Sequence, residues 1–312
     1  MEPFIAVENV TFDYPGVRAL DDVSVAVREG SVTALVGPNG AGKTTLMRCI
    51  AALDRPQAGR IRVAGLDVHA QPRQAHTLMG YLPDFFGLYD TLTVRQCLLN
   101  RAAALDVPAA EREARVTAAA TAVGLADRLQ QRAGELSRGL RQRLAIGQSL
   151  VHGPRVLILD EPASGLDPEA RQALSALMLR LSGEGVTLLV SSHILAELQD
   201  YSTDMLIIRD GRVVDHRAVG PNAAAAGRRL LSLRLAAPDD RLAAALAEVA
   251  TEVVVDGADA RFLGPAEASE RAALLRRLVE VGLAIVDFGE AGESLQAQYL
   301  ARLRQGQQRG GR

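Results

Sequence analysis

The run Gly37-Pro38-Asn39-Gly40-Ala41-Gly42-Lys43-Thr44-Thr45 constrains this chain more than any other stretch. Its spacing, G-x-x-x-x-G-K-[ST], is that of a loop joining a strand to a helix. The glycines let the backbone turn until its N–H groups point inward, a cradle for phosphate oxygens, and the following helix adds its N-terminal dipole. The apolar run 33–36 is the expected strand and 44–53 the expected helix. Lys43 is the only lysine in the chain, although Lys and Arg together number 35. A bias toward arginine accounts for the other cations but not for this survivor. Arginine is a planar fork, whereas lysine is a compact point charge on a slim stem, and a tight loop around a β/γ-phosphate has room only for the second.

The rest of the pattern surrounds that loop with alternating strands and helices. Residues 4–12 and 19–27 alternate apolar and polar, as in Val23, Val25 and Val27, and read as half-buried antiparallel strands joined by a third at 59–63. From 93 to 150 the pattern is rich in Ala, Leu and Arg and helical, broken at Pro108 and Gly134. The apolar runs 156–159 and 186–190 read as strands buried on both faces, separated by a helix at 171–181. Strands at 205–208 and 212–214 form a hairpin through Asp210-Gly211. This order predicts an α/β fold with a parallel core sheet, an antiparallel β subdomain and a helical subdomain over about residues 85–155.

Residues 219–227 read as a linker. Beyond them come a strand (230–235), a helix (241–249), two strands (252–256 and 260–263), a helix (269–281) and a strand (283–288). This βαββαβ order predicts a small α+β, ferredoxin-like C-terminal domain. A last helix at 294–303 precedes a polar tail. The expected domains are 1–218, 228–305 and a disordered tail at 306–312.

Composition narrows the function. A net charge of −2, scarce aromatics and no Trp argue against a nucleic-acid partner. No apolar run approaches the ~18 residues that span a bilayer, and Met1-Glu2-Pro3-Phe4 lacks the character of a secretory signal. The chain is expected to be cytoplasmic, with any membrane role acting through a partner. Cys49 and Cys97 show no metal spacing and read as small buried hydrophobes. His69, His76, His152 and His216 match no motif and read as surface or structural.

Further motifs carry chemistry. Val156-Leu157-Ile158-Leu159-Asp160-Glu161-Pro162 has the form of a Walker B strand, which delivers Asp160 and Glu161 to its carboxyl end, where ligands bind in parallel sheets. Asp160 suits Mg²⁺ held through water, and Glu161 suits the polarising of an attacking water. Leu136-Ser137-Arg138-Gly139-Leu140-Arg141-Gln142 lies between the phosphate loop and this strand. It resembles the LSGGQ signature of ATP-binding cassette (ABC) ATPases. Ser164-Gly165-Leu166-Asp167 resembles that family's D-loop, and His193, in Ser191-Ser192-His193, its switch histidine. Tyr14 resembles the aromatic that stacks on adenine, and Gly80-Tyr81-Leu82-Pro83-Asp84 the Q-loop region. The resemblance covers roughly residues 4–218.

The resemblance implies an ATPase whose site is shared between two copies. Gly37, Pro38, Asn39, Gly40, Ala41, Gly42, Lys43, Thr44 and Thr45 would cradle ATP, with Asp84 nearby. Ser137 and Gly139 would close on the γ-phosphate held by a second ATP-binding subunit. Thr44, Asp160 and Asp84 would face Mg²⁺, and Glu161 and His193 would act in hydrolysis. The implied role is to drive an exporter whose integral-membrane permease is a separate chain, from the cytoplasmic side of the membrane. An importer subunit with a C-terminal regulatory sensor, or a soluble non-transport ABC ATPase, are the alternatives. Three positions depart from the family pattern. Asp84 stands where glutamine is usual, Arg138 where glycine is, and Leu140 where glutamine is. Arg138 either adds positive charge beside the γ-phosphate or points to solvent. The apolar run Phe85-Phe86-Gly87-Leu88-Tyr89 either docks a permease helix or caps the helical subdomain's own core.

Overall fold

Two alternating strands, Ile5–Tyr14 (β1) and Val17–Val27 (β2), begin the chain as an antiparallel pair. Val23, Val25 and Val27 of β2 are buried while Ser24 and Ala26 are exposed, the period-two pattern of a sheet with one covered face. The structure, a computed structural model, describes residues 3–192, 198, 201–219, 228–239, 241–247, 250–265 and 267–290. The predicted helix at 294–303 and all but the first residue of the predicted linker lie outside these residues.

Next come Val32–Val36 (β3), Lys43–Ile50 (α1), Ala58–Val63 (β4) and Leu66–Asp67 (β5). The antiparallel sheet runs β2-β1-β4-β5. Pro72–Leu78 (α2) leads into Met79–Leu82 (β6). Neither was legible in the sequence. Four residues without alternation carry no strand signal, and β6 exists because it pairs with a partner far along the chain.

Three helices follow, Val94–Ala104 (α3), Arg112–Ala122 (α4) and Arg138–Leu150 (α5). Thr93 and Gln96 form a reciprocal capping box on α3. Then come Val156–Leu159 (β7), Pro168–Gly183 (α6), Thr187–Ser192 (β8), Asp204–Arg209 (β9) and Arg212–Ala218 (β10). Asp167 caps α6, and Pro168 occupies its first turn, where a missing N–H costs nothing. The second sheet runs β10-β9-β3-β8-β7-β6, with β9, β3, β8, β7 and β6 all parallel. Every residue of β3, β7 and β8 is buried, as strands covered on both faces require. One apolar core joins both sheets through α1, whose Leu46, Met47 and Ile50 lie among Ile61, Val63, Val156 and Ile158. Each such side chain contributes roughly 1.5–3 kcal/mol on burial.

Contacts divide the chain into two compact units, Met1–Arg217 and Ala218–Arg312. The second holds Arg228–Leu235 (β11), Arg241–Ala247 (α7), Thr251–Asp256 (β12), Asp259–Pro265 (β13), Ala268–Glu280 (α8) and Ile285–Glu290 (β14). Its antiparallel sheet runs β12-β13-β11-β14. Leu231, Leu233, Leu235, Ala260 and Phe262 from one sheet face pack with Leu242 and Leu246 of α7 and Leu274 and Leu278 of α8. Among the described residues, no helix of either unit is long and apolar enough to cross a membrane.

Candidate active site

Register places the chemistry at one edge of the parallel sheet. Val36 pairs with Ser192, Leu159 with Val190, and Leu82 with Leu159. The carboxyl ends of β3, β8, β7 and β6 therefore align within a residue or two. Their continuations are Gly37, the Ser191-Ser192 end, Asp160-Glu161 and Pro83-Asp84.

The loop after β3 is shaped by its glycines. Gly40 and Gly42 adopt φ of +79° and +104°, the left-handed region that Cβ-bearing residues avoid. A Cβ on Gly42 would lie 2.6 Å from the Ala19 carbonyl oxygen, and one on Gly37 would lie 2.3 Å from that of Ile208. Gly37 and Gly42 are thus wedged against β9 and β2 with no room for a side chain, whereas Gly40 faces open space. Lys43 opens α1 and is buried, as are Ala41, Gly42 and Thr45, whereas Thr44 is exposed. The Lys43 Nζ donates to the carbonyls of Gly37 at 2.8 Å and Pro38 at 3.4 Å. It also faces Glu161 Oε1 at 3.6 Å.

Glu161 sits at φ +49°, unusual for a residue with a side chain, so the chain bends sharply where β7 ends. Ser191 holds this bend. Its Oγ accepts from the Glu161 N–H at 2.8 Å and donates to Asp160 Oδ1 at 2.6 Å. Asp160 is fully buried, yet its Oδ2 has no partner among the described residues. A buried carboxylate oxygen left unpaired is costly, and such an atom is suited to a cation or its water. Such an oxygen fits Mg²⁺, a hard cation that takes oxygen ligands and keeps several waters; Thr44 and Asp84, the other residues expected to face it, are both exposed. Nearby, burial pushes the Tyr81 hydroxyl up to about 12, helped by the negative charge of Asp160, and that oxygen too lacks a partner. Sequence reading gave Ser191 no role. A serine ending an apolar run beside the Asp160 strand was the available signal, but only the register of β7 against β8 makes the contact visible.

The signature-like segment is also resolved. Ser137 caps α5, accepting from Leu140 N–H at 3.4 Å, and is exposed. Gly139 lies against α6, where a Cβ would come within 2.8 Å of Ala170 Cβ. Arg138 donates from Nη2 to the Ser164 carbonyl at 3.2 Å. Arg138 is exposed, and at the surface it leans on the D-loop-like segment. His193 lies outside the described residues.

Tyr14 ends β1 with 43 % exposure, its ring edge-on to Phe12 at 4.9 Å between centroids. Among the apolar residues after Asp84, Phe85 is 91 % exposed and Tyr89 68 %, while Phe86 and Leu88 are half-buried. Full exposure of Phe85 excludes it from the helical subdomain's own core. Cys49 is buried, which pushes its thiol up to about 12 and makes it unreactive. His76 and His152 bond through Nε2 to the Ala51 and Met79 carbonyls, structural contacts both.

Comparison with known proteins gives one consistent result. A family model described as ABC transporter matches residues 20–164. The chain is 35 % identical over 199 residues to the ABC transporter ATP-binding protein NatA of Bacillus subtilis, covering 64 % of this chain and 81 % of that protein. It is 34 % identical over 213 residues to the Nod factor export ATP-binding protein I of Paraburkholderia xenovorans, covering 68 % and 70 %. A solved ATP-binding subunit of an ABC transporter superposes with a TM-score of 0.62 at 31 % identity, over 69 % of this chain and 90 % of that one.

Proposed function

The chain belongs to the ABC transporter family as an ATP-binding, ATP-hydrolysing subunit, and on that premise we propose that it powers export through a separate permease by closing a dimer on two ATP molecules. The observation that carries the proposal is the buried cluster at the sheet edge. Lys43 is held by Gly37, Pro38 and Glu161, beside an Asp160 with one unpaired oxygen.

In this reading the N–H groups of residues 37–45 and the α1 dipole bind the phosphates, and Tyr14 stacks on adenine. Thr44 and Asp160, with Asp84 at the edge, would hold Mg²⁺, which when bound neutralises charge on the β- and γ-phosphates. Lys43 exchanges its Glu161 contact for phosphate oxygens. Glu161, released, orients the attacking water and takes its proton. His193 donates a hydrogen bond to the γ-phosphate. Ser137 and Gly139, at the N-terminus of α5, approach the γ-phosphate bound by a second copy, where the helix dipole favours negative charge. A site assembled from two subunits makes hydrolysis wait for closure.

The exposed Phe85 and Tyr89 form the apolar patch proposed to receive a permease helix, which would hold the chain at the cytoplasmic face of the membrane. Export is favoured by the similarity to a Nod factor export ATP-binding protein. The unit after residue 218 is read as a ferredoxin-like domain over 228–305, joined by a linker at 219–227 and followed by a tail at 306–312. Its strand order with two helices supports that reading and argues against a barrel appendage.

The test is the Glu161→Gln variant, which should bind ATP and turn it over very slowly. It should become dimeric by gel filtration with ATP and remain monomeric with ADP, and Lys43→Ala should abolish both ATP binding and dimer formation. Coexpression with its permease should move the chain to the membrane fraction. A Glu161→Gln variant that stays monomeric in saturating ATP would overturn dimer closure.

A further inference from the structure

Arg138 occupies a position whose chemistry the functional reading leaves unused. Its guanidinium Nη2 donates to the Ser164 carbonyl at 3.2 Å, across 26 residues of sequence. The same guanidinium also lies against the next residue. Gly165 adopts φ +66°, and a Cβ there would meet Arg138 Nη2, Cζ and Nη1 at 2.2, 2.4 and 2.6 Å. Three atoms of the guanidinium therefore lie close beside the Gly165 α-carbon. The contact continues on both sides. Ser164 N–H donates to the Glu161 carbonyl at 3.0 Å. Arg138 itself follows Ser137, the cap of α5. One turn along α5, Arg141 donates to Asp90 at 2.6 Å and to the Ala133 carbonyl at 3.0 Å, anchoring the helix start from the other flank.

The result is a continuous connection inside one subunit, Glu161 to Ser164 to Arg138 to Ser137. At one end stands the carboxylate of this subunit's own nucleotide site. At the other stands the serine that, on the proposed pairing, serves the partner's nucleotide. We infer that Arg138 is a positioning residue that couples the two composite sites, so that the state of Glu161 in one site sets the placement of Ser137 in the other. The inference rests on the proposed pairing of two copies. A glycine at this position would not supply the hydrogen bond to the Ser164 carbonyl.

The experiment uses the full chain with its permease and compares wild type, Arg138→Gly and Arg138→Lys. ATP hydrolysis is measured against ATP concentration, ADP affinity by equilibrium titration, and stability by thermal melting. Wild type should show a Hill coefficient above about 1.5. Arg138→Gly should lower kcat about tenfold and bring the Hill coefficient to about 1, with ADP affinity within twofold, because Arg138 does not touch its own subunit's nucleotide. Lysine can still reach the Ser164 carbonyl, so Arg138→Lys should recover at least half of kcat. If Arg138→Gly keeps both kcat and Hill coefficient within twofold while Glu161→Gln still dimerises with ATP, the coupling role is refuted and the pairing stands. If kcat, ADP affinity and melting temperature fall together, Arg138 is merely structural and the inference is equally refuted. If Glu161→Gln does not dimerise, or wild type shows no cooperativity, the pairing itself fails.

Discussion

Glu161→Gln tests the site most directly, because the structure gives this carboxylate two separable effects. One is catalytic. Removing a general base costs about 10²–10⁴-fold in turnover. The other concerns binding. Glu161 Oε1 lies 3.6 Å from Lys43 Nζ, with both side chains largely buried. At an effective dielectric of about 20 the Coulomb attraction at that distance is about 4–5 kcal/mol. Desolvation of both ions cancels most of it, leaving a net on the order of 1 kcal/mol. A nucleotide must displace this contact to engage Lys43. Glutamine keeps the shape and removes the charge, so the cost of displacement falls, and so does repulsion of the phosphates. About 1 kcal/mol corresponds to roughly fivefold tighter binding. ADP is the right probe, because it engages the cradle without the γ-phosphate that drives closure. Turnover is read by phosphate release and affinity by fluorescence titration of a labelled ADP. Unchanged turnover would refute Glu161 as the group that activates water. Reduced turnover with unchanged or weaker ADP binding would refute the competition between Glu161 and phosphate for Lys43.

Two glycines in Asp-Gly turns form a matched pair. Gly211→Ala combines a φ of +74° with a Cβ 2.8 Å from the Ala19 carbonyl oxygen, whereas Gly257→Ala has only the φ of +62° and open space. The left-handed conformation alone costs roughly 1–2 kcal/mol, so calorimetry should find Gly211→Ala the more destabilising, and Gly211→Ala alone should raise KM for ATP; equal melting shifts would contradict the contact. Burial lowers the imidazole pKa of His69, His152 and His216 below the ordinary value of about 6.5. Their contribution is complete above that value and is lost as pH falls through the lowered folded values, because the unfolded chain then binds more protons. The melting temperature should therefore fall as pH drops below about 6.5, less steeply in His152→Gln; identical slopes would remove His152 from the account. Phe85→Asp or Tyr89→Asp should cut permease-coupled transport at least tenfold while ATP hydrolysis by the isolated chain stays within twofold; parallel loss of both would sink the docking patch.

The sequence was most legible where a local pattern reports a local structure. The alternation in β2 and the unbroken apolar runs of β3 and β7 all appear as strands. It was silent where a contact depends on strands distant in the chain. β6 is four residues long and paired to β7, and its strand character comes from the partner. Ser191 bonds residues 30 and 31 positions away. Arg138 was ambiguous because its partner is a backbone carbonyl, a group present at every residue and therefore invisible in a pattern of side chains.

The same limit explains what the glycines do. Gly42 and Gly211 each read as a residue needed for its own turn, and each does adopt a positive φ. Both also face the same atom, since a Cβ on either would lie within 2.8 Å of the Ala19 carbonyl oxygen. Gly211 N–H donates to the Ala41 carbonyl at 3.1 Å, and the Gly211 carbonyl accepts from Asp21 N–H at 2.8 Å. The phosphate loop, the β9–β10 turn and β2 therefore meet backbone to backbone, with no side chain as a spacer. That junction joins the parallel sheet, which carries Lys43, Asp160 and Glu161, to the antiparallel sheet, which carries Tyr14. The separation between a ring that would hold adenine and a cradle that would hold phosphates is then set by three backbone segments in contact. An added methyl group at either glycine would have to widen it.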